Sequence, residues 1–162
     1  MIRQAADADW PRLWPLWHEV VAAGDTYCYE PDTTYEQARA SWLDGPPAET
    51  WLAEDDRQGS ALGIYHIGPN QPGAGSHIVN GSYMVSGAAR GRGIGRALVE
   101  HSLVRARELG YRGMQFNAVA AANVHAIELY RRLGFTTIGL VPGGFRHPSA
   151  GYVDLHIMFR AV

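Results

Sequence analysis

The sequence predicts an α/β protein in which a mixed sheet carries helices on its faces. Short strands in the middle of the chain follow one another directly, which is typical of antiparallel hairpins. Later strands alternate with two amphipathic helices, which is typical of β-α-β units. The predicted order is β-α-α-β-β-β-α-β-α-β-β, with about four helices. We expect a single domain over residues 1–162, because globular domains most often run about 100–150 residues.

The first part of the chain contains one short strand and two helices. They are predicted at residues 2–5, 13–21 and 34–43. Apolar residues at helical spacing predict the first helix, with Asp7 or Asp9 as its cap, and Gly24 ends it. Thr33 or Thr34 can cap the second helix, and the run Gly45-Pro46-Pro47 breaks it.

The remaining elements are mostly strands. Strands are predicted at residues 50–54, 61–67, 78–85, 114–119, 136–141 and 153–159, and helices at 95–109 and 123–133. Gly110 and Gly134 end the two helices. A loop rich in Gly, Pro and Arg separates the last two strands.

Composition excludes several classes of function. No apolar run approaches the roughly 18–20 residues that cross a bilayer, and Asp7 and Asp9 interrupt any signal peptide. We therefore expect a cytoplasmic protein without a membrane partner. Cys28 is the only cysteine, so an internal disulfide and a multi-cysteine metal site are excluded, and the histidines lack metal-ligand spacing. No metal is expected.

All basic side chains are arginines, which excludes a Schiff-base lysine and a P-loop lysine. Residues 1–86 carry 12 acidic side chains and 4 arginines, whereas residues 87–162 carry 4 acidic side chains and 10 arginines. A chain of net charge −2 is a poor nucleic-acid binder, so no nucleic-acid partner is expected. Its cationic second half suits a small polyanion, because guanidinium pairs with phosphate in a fork.

The run Arg90-Gly91-Arg92-Gly93-Ile94-Gly95 lies between a predicted strand and a predicted helix. Alternating glycines allow a tight turn whose N–H groups point inward, and the helix N-terminus points its free N–H groups at the same place. With Arg96, this predicts a pyrophosphate site. The spacing is not the dinucleotide fingerprint G-x-G-x-x-G. The alternative is a flexible glycine-rich turn with solvated arginines.

This motif resembles the acyl-coenzyme A signature of the GCN5-related N-acetyltransferase (GNAT) family. A second family signature follows at the expected distance, as residues 123–135, NVHAIELYRRLGF. The resemblance covers nearly the whole chain. It implies the GNAT fold, in which a mostly antiparallel sheet splays apart between its fourth and fifth strands, and it implies acetyl-CoA as cosubstrate.

The resemblance also implies residue roles. Backbone amides would hold the pyrophosphate, with Arg90 adding charge; these are the amides of Arg92, Gly93, Ile94, Gly95, Arg96 and Ala97. Backbone groups of Met84 and Val85 would pair with the pantetheine arm like an added strand. The side chain of Asn123 would reach the pantetheine, and Arg131 or Arg132 would meet the adenosine phosphate.

Tyr130 would lie near the thioester sulfur. Attack by an amine on a thioester expels a thiolate, and a phenol with a pKa of about 10 can protonate a thiolate of similar basicity. Tyr130 is therefore the predicted catalytic acid. The alternative is a core aromatic on the helix face beside Leu129 and Leu133.

The acceptor amine must lose a proton before it attacks. Many relatives place a glutamate on the strand before the phosphate loop, whereas this sequence has Asn80 there. An amide is no base near neutral pH. Water, a carbonyl-bound water chain or another group must then take the proton. His77 is the nearest titratable residue in the sequence, although a structural histidine is the preferred interpretation.

Asn80 and Asn117 lie near the ends of neighbouring strands and are the predicted acceptor-binding residues. Two uncharged amides suit a zwitterionic or carboxylate-bearing small molecule. The stretches around both asparagines are similar to the fungal acetyltransferases that detoxify proline analogues such as azetidine-2-carboxylate. An amino-acid-like amine is therefore the expected acceptor. The alternatives are a strand-bulge residue for Asn80 and a buried amide bonded to backbone for Asn117.

The leading hypothesis is an acetyl-CoA-dependent N-acetyltransferase that acts on a small amine by direct attack in a ternary complex. A non-catalytic acyl-CoA-binding module and a protein acetyltransferase are the alternatives. Two loops are further candidates. Asp25, Thr26, Tyr27 and Tyr29 border the acceptor cleft of the family, and Phe145, Arg146 and His147 are candidates for a lid or for a contact in a homodimer.

Overall fold

The computed structural model describes residues 1–56 and 59–162. The strands and helices follow the predicted order. They are β1 (Ile2–Gln4), α1 (Trp10–Ala22), α2 (Tyr35–Trp42), β2 (Glu49–Glu54), β3 (Ala61–Pro69), β4 (Ile78–Val85), α3 (Ile94–Glu108), β5 (Gly113–Ala120), α4 (Val124–Arg132), β6 (Thr136–His147) and β7 (Gly151–Ala161). Within the described ranges, no helix combines the length and hydrophobicity needed to cross a membrane.

The seven strands form one sheet in the order β1-β2-β3-β4-β5-β7-β6. Neighbouring strands run antiparallel except β4 and β5, which are parallel. The β4–β5 register covers only Ile78–Asn80 against Gly113–Gln115, although β4 continues to Val85 and β5 to Ala120. The two strands therefore separate after Asn80 and Gln115 and leave an opening in the sheet, which confirms the predicted fold class.

Each face of the sheet has its own core. Leu52, Ile64 and Met84 pack against the tryptophans of α1 and α2 on one face. Residues of opposite parity, such as Tyr65 and Val79, pack against α3 and α4 on the other. This division follows from the alternation of side chains along a strand. We call the two sides the α1/α2 face and the α3/α4 face.

The last hairpin differs from the prediction. Residues 142–152 were expected to form a loop, but β6 continues to His147 and β7 begins at Gly151. The register shifts between Val141 and Phe145, and Gly143 adopts a φ of +57° inside this bulge. A bulge admits the extra residues without ending the strand, so the Pro- and Gly-rich sequence is misleading there. Phe145, Arg146 and His147 consequently lie on a strand.

Candidate active site

The opening between β4 and β5 connects the two faces of the sheet. Asn80 and Gln115 are in parallel register and share the α1/α2 face, because residues in register point to the same side. Phe116, the next residue of β5, belongs to the core of the α3/α4 face. A molecule bound on the α3/α4 face can therefore contact a molecule bound on the α1/α2 face through the opening, which begins just beyond Asn80.

The glycine-rich turn before α3 has the backbone geometry of an anion nest. Gly91 and Gly93 adopt φ values of +75° and +77°, and α3 begins at Ile94. The amide of Arg92 already donates to the carbonyl of Ala89, and that of Ala97 to Gly93. The amides between them lie at the N-terminus of the helix, where no intrahelical acceptor exists. These residues are Gly93, Ile94, Gly95 and Arg96.

The arginines of this turn are exposed and differ in their contacts. Arg92 forms an ion pair with Asp55 at 3.3 Å, and Arg96 forms one with Glu100 at 2.8 Å. Arg90 is also exposed. Exposed pairs are weak, so an incoming polyanion can compete for both guanidinium groups. The turn therefore has the charge and the free amides that suit a pyrophosphate.

Backbone groups of β4 alternate between its two neighbours. Ser86, the residue after β4, donates its amide to the carbonyl of Leu62 at 2.9 Å. In an antiparallel pair the hydrogen-bonded positions alternate, so even-numbered residues of β4 bond to β3 and odd-numbered ones face the side of β5. Val85 therefore presents its backbone to the opening. The backbone of Met84 instead faces Ile64 of β3, so of these two residues Val85 is the one whose backbone groups face the opening.

Tyr27 reaches the opening from the loop between α1 and α2. Its hydroxyl donates to the carbonyl of Tyr83 at 2.7 Å and accepts from the amide of Tyr83 at 2.8 Å. Burial, together with the neighbouring phenol of Tyr130, raises the pKa of Tyr27. The loop that the family resemblance places beside the acceptor cleft is thus fastened to the edge of β4 that faces the gap.

Tyr130 lies on α4 within a cluster of aromatic rings. Its ring centroid is 4.5 Å from that of Phe116, 5.9 Å from that of Phe135 and 6.3 Å from that of Tyr83. Burial raises the pKa of the Tyr130 phenol, so the hydroxyl keeps its proton at neutral pH. A half-buried, protonated phenol beside the opening suits the role of an acid.

Asn123 serves as the N-cap of α4. Its Oδ1 accepts from the amide of Ala126 at 3.3 Å. This satisfies one of the free amides of the first helical turn. The carboxamide oxygen is therefore engaged, and Nδ2 is the group of Asn123 that can donate to a pantetheine.

Amide side chains line the α1/α2 side of the opening. Asn80 donates its Nδ2 to the carbonyl of Gln115 at 3.0 Å, so it bridges β4 and β5 at the point where they part. Asn117 accepts from Nε2 of Gln115 at 2.9 Å and donates to Oδ1 of Asn70 at 2.7 Å. The β5 register shifts between Phe116 and Val119, and this bulge leaves Asn117 exposed.

The structure thus places the glycine-rich turn, Val85 and Tyr130 on the α3/α4 side of the opening. Asn80 and Asn117 lie on the other side. His77 is exposed at the start of β4, and its carbonyl accepts from the amide of Arg112 at 2.9 Å. Asn70 and Gln115 lie in the stretches that resemble the fungal enzymes, but sequence alone assigned neither a role, because their contacts depend on which strands become neighbours.

The chain is similar to proteins of known name. Residues 10–135 match the model of the Acetyltransferase (GNAT) family. N-acetyltransferase aca1 of Schizosaccharomyces pombe is 40% identical over 113 residues, which are 69% of this chain and 54% of that protein, so the chain spans about half the length of this relative. The L-methionine sulfoximine/L-methionine sulfone acetyltransferase of Pseudomonas paraeruginosa is 32% identical over 145 residues, with 87% of this chain and 83% of that protein covered.

Two solved structures share the fold over the full chain. A GCN5-related N-acetyltransferase from Kribbella flavida superposes with a TM-score of 0.95 at 47% identity and covers 100% of this chain and 97% of that one. A phosphinothricin acetyltransferase from Sinorhizobium meliloti, solved in complex with AcCoA, has a TM-score of 0.88 at 27% identity and covers 100% and 88%.

Proposed function

The chain belongs to the acetyltransferase (GNAT) family, and from this membership we propose that it is an N-acetyltransferase using acetyl-CoA. The acetyl group moves to the amine of a small, amino-acid-like acceptor by direct attack in a ternary complex. Residues 1–162 act as one acyltransferase domain in this proposal. The observation that carries it is the opening between β4 and β5, which has an anion nest and a half-buried phenol on one side and uncharged amides on the other.

The residues around the nest fit the diphosphate of coenzyme A. A side chain on Gly91 or Gly93 would have to adopt a positive φ, which only glycine adopts without strain. The free amides at the start of α3 and the charge of Arg90, Arg92 and Arg96 would hold the pyrophosphate.

Val85 and Asn123 would hold the pantetheine arm. The backbone of Val85 faces the gap left by β5, so an extended arm can bond to it as a further strand would. A Cβ on Gly95 would lie 3.7 Å from side-chain atoms of Leu129 and of Val85. A pantetheine arm that reaches the amide of Gly95 therefore passes beside these two apolar side chains. Nδ2 of Asn123 would donate a hydrogen bond to the pantetheine arm. Arg131 or Arg132, both exposed on α4, would meet the adenosine phosphate.

Tyr130 supplies a proton in the proposed reaction. The amine nitrogen of the acceptor bonds to the acetyl carbonyl carbon and the carbon–sulfur bond breaks. The Tyr130 hydroxyl gives its proton to the departing sulfur, and the proton released from nitrogen as the amide forms restores the phenol. The hydroxyl is protonated at neutral pH, as a proton donor must be.

The acceptor is proposed to carry an amino-acid backbone. Asn80 and Asn117 offer hydrogen bonds without charge, which suits a zwitterion. The names of two similar proteins point the same way, since methionine sulfoximine and phosphinothricin are amino-acid analogues. A homodimer is proposed as well, because β6 is an edge strand and exposes Ile138, Leu140 and Val141.

A panel of amines tests the proposal. We expect the purified chain to release thiol from acetyl-CoA faster with one or more amino acids or amino-acid analogues than with water alone. Binding of acetyl-CoA without release under any condition would favour a non-catalytic binding module. Release with a basic peptide and with none of the small amines would favour a protein acetyltransferase. A thermal shift with coenzyme A, measured in parallel, confirms that the sample can bind the cosubstrate.

A further inference from the structure

A cavity on the α1/α2 face begins at Asn80 and extends away from the opening. Its volume is about 250 Å³, and its walls come from the end of β3 and from the loop between α2 and β2. Ala48, Pro46, Pro47 and Pro69 form the apolar part of the lining. Because Asn80 lies where β4 and β5 part, a small molecule in this cavity has access to the opening.

His66 and Asp44 supply the titratable groups of this cavity. Nε2 of His66 lies 3.0 Å from Oδ1 of Asp44. A carboxylate only accepts hydrogen bonds, so the neutral imidazole places its proton on Nε2 and keeps the lone pair on Nδ1. The carboxylate thereby sets the tautomer and orients the ring.

The ring of His66 lies on the same face of the sheet as Asn80, on the neighbouring strand β3. Gly68 is the register partner of Asn80, and a Cβ built on Gly68 would lie 3.8 Å from Cε1 of His66. The same Cβ would be only 3.1 Å from Cβ of Ala48, which is tighter than an ordinary contact. Glycine at this position therefore keeps open the space beside the imidazole and Ala48.

The groups that face His66 come from four elements. Its register partners are Thr50 of β2 and Ser82 of β4, and the ring of Trp42 on α2 lies 5.8 Å away, centroid to centroid. Asp44, from the loop after α2, is the charged group in contact with it among the described residues. The imidazole is 19% exposed, so a proton that it accepts can pass to water.

We propose that His66, oriented by Asp44, is the base that takes the proton from the ammonium group of the acceptor. This proposal rests on the proposed N-acetyltransferase function. The N–H bond of the ammonium breaks, its proton bonds to Nδ1 of His66, and the nitrogen keeps the electron pair with which it attacks the acetyl carbon. The imidazolium is paired with the carboxylate of Asp44 and returns its proton to solvent before the next turnover. The cavity is thus the acceptor site, and the dyad replaces the base that the amide of Asn80 cannot provide.

The pH dependence of kcat/KM for an amino-acid acceptor tests this role in His66→Asn, Asp44→Asn and His77→Asn. We expect His66→Asn to lower kcat/KM about 100-fold at pH 7, within the range of general base catalysis. The loss shrinks as pH rises, because the free amine becomes available without a base. Asp44→Asn keeps the imidazole but removes the carboxylate that orients it, so we expect kcat/KM at pH 7 to fall by less than in His66→Asn. His77→Asn makes the same change on an exposed histidine and should leave the profile unchanged.

Several outcomes would overturn the proposal. An unchanged acidic limb in His66→Asn, or a loss that is equal at every pH, would show a structural role. A profile altered by His77→Asn and not by His66→Asn would assign the base to His77. Thermal melting and the affinity for acetyl-CoA, both expected to match wild type, separate these results from misfolding. A wild-type chain that acetylates no amine would contradict the proposed function as well, whereas an active wild type with indifferent His66 variants contradicts this inference alone.

Discussion

The hydroxyl of Tyr27 holds both backbone groups of Tyr83, the carbonyl at 2.7 Å and the amide at 2.8 Å. Tyr83 lies on the part of β4 that has lost its partner β5, so its backbone groups have no strand to bond on that side. One side-chain oxygen thus replaces a neighbouring strand, because a hydroxyl both donates and accepts. The contact fastens the loop between α1 and α2 to the rim of the opening.

Tyr27→Phe tests the strength of this contact. The ring stays, but the amide and carbonyl of Tyr83 lose their partner in a half-buried place. We expect the free energy of unfolding to fall by about 1–3 kcal/mol, measured by urea denaturation. Tyr152→Phe removes the same hydroxyl from a side chain that is 76% exposed, and no loss is expected. Equal stability of the two variants would show that water replaces the Tyr27 hydroxyl at no cost.

Gly93→Val tests the anion nest at the start of α3. Gly93 has a φ of +77°, where a β-branched residue is strained by about 1–3 kcal/mol. Relief of that strain turns the neighbouring amides away, so we expect the thermal shift caused by acetyl-CoA to disappear. Gly151→Val is the matched control, because Gly151 has a φ of +72° in the β6–β7 turn, outside the glycine-rich turn. It should lose stability and keep acetyl-CoA binding.

Most of the fold is predictable from the sequence, because hydrophobic periodicity and glycine stops are local signals. The capping residue Thr34 is one such case: its Oγ1 accepts from the amide of Gln37 at 3.2 Å, as a helix start at that position requires. The bulge around Gly143 is the counterexample. There the pairing with β7, a contact between distant residues, decides that the chain stays extended.

The candidate site likewise contains some residues that the sequence nominates and others that only the fold brings together. The glycine-rich turn and Tyr130 belong to contiguous motifs, so sequence alone nominates them. The hydroxyl of Tyr27 and the imidazole of His66 acquire a role only through the strands that lie beside them. The spacing of residues in the sequence does not reveal that His66 is two residues from Gly68, the register partner of Asn80. That relationship depends on how β3 pairs with β4.

Tyr130→Phe tests the proposed acid. The ring contacts with Phe116 and Phe135 remain and only the hydroxyl is lost, so we expect kcat to fall about 10- to 1,000-fold with little change in acetyl-CoA affinity. Burial raises the pKa of Tyr130 above that of a free phenol. The wild-type kcat should therefore show no basic limb below about pH 10. Full activity in Tyr130→Phe would mean that water protonates the leaving sulfur.

Asp9→Asn tests the pH dependence of stability. Hydrogen bonds from Arg3, at 2.7 and 2.8 Å, lower the pKa of Asp9 in the folded protein. A carboxyl with a lowered folded pKa stabilises above its unfolded pKa, about 3.9, and that contribution fades as pH falls below it. We expect the variant to lose about 1–2 kcal/mol at pH 7. The difference from wild type should shrink below about pH 4.

The matched change for this prediction is Asp7→Asn. Asp7 pairs with Arg39 at 2.9 Å, but its side chain is 76% exposed. Exposed pairs contribute about 0–1 kcal/mol, so its stability curve should follow that of wild type across the pH range. A stability loss in Asp9→Asn that does not change with pH would assign the effect to packing, because the hydrogen bonds from Arg3 and from the amide of Ala6 both favour the charged carboxylate.

The two asparagines of the opening are expected to respond differently to alanine. Asn117 is exposed on the bulge of β5, so Asn117→Ala should spare stability and acetyl-CoA binding. It should raise the KM of the acceptor about 2- to 12-fold, the equivalent of one neutral hydrogen bond of about 0.5–1.5 kcal/mol. Asn80→Ala should in addition destabilise the protein, because the carbonyl of Gln115 loses its donor between the strands.

Asn80→Glu separates two roles of the acceptor site. The introduced carboxylate repels the carboxylate of an amino acid, so kcat/KM should fall for amino acids and be spared for uncharged amines of similar size. If instead the site lacks only a base, activity towards plain amines rises and their pH optimum falls. The measurement is kcat/KM for matched pairs, an amino acid and its amide. An equal effect on both members of each pair would remove the reason for proposing an amino-acid-like acceptor. The introduced charge would then not distinguish an acceptor that carries a carboxylate from one that does not.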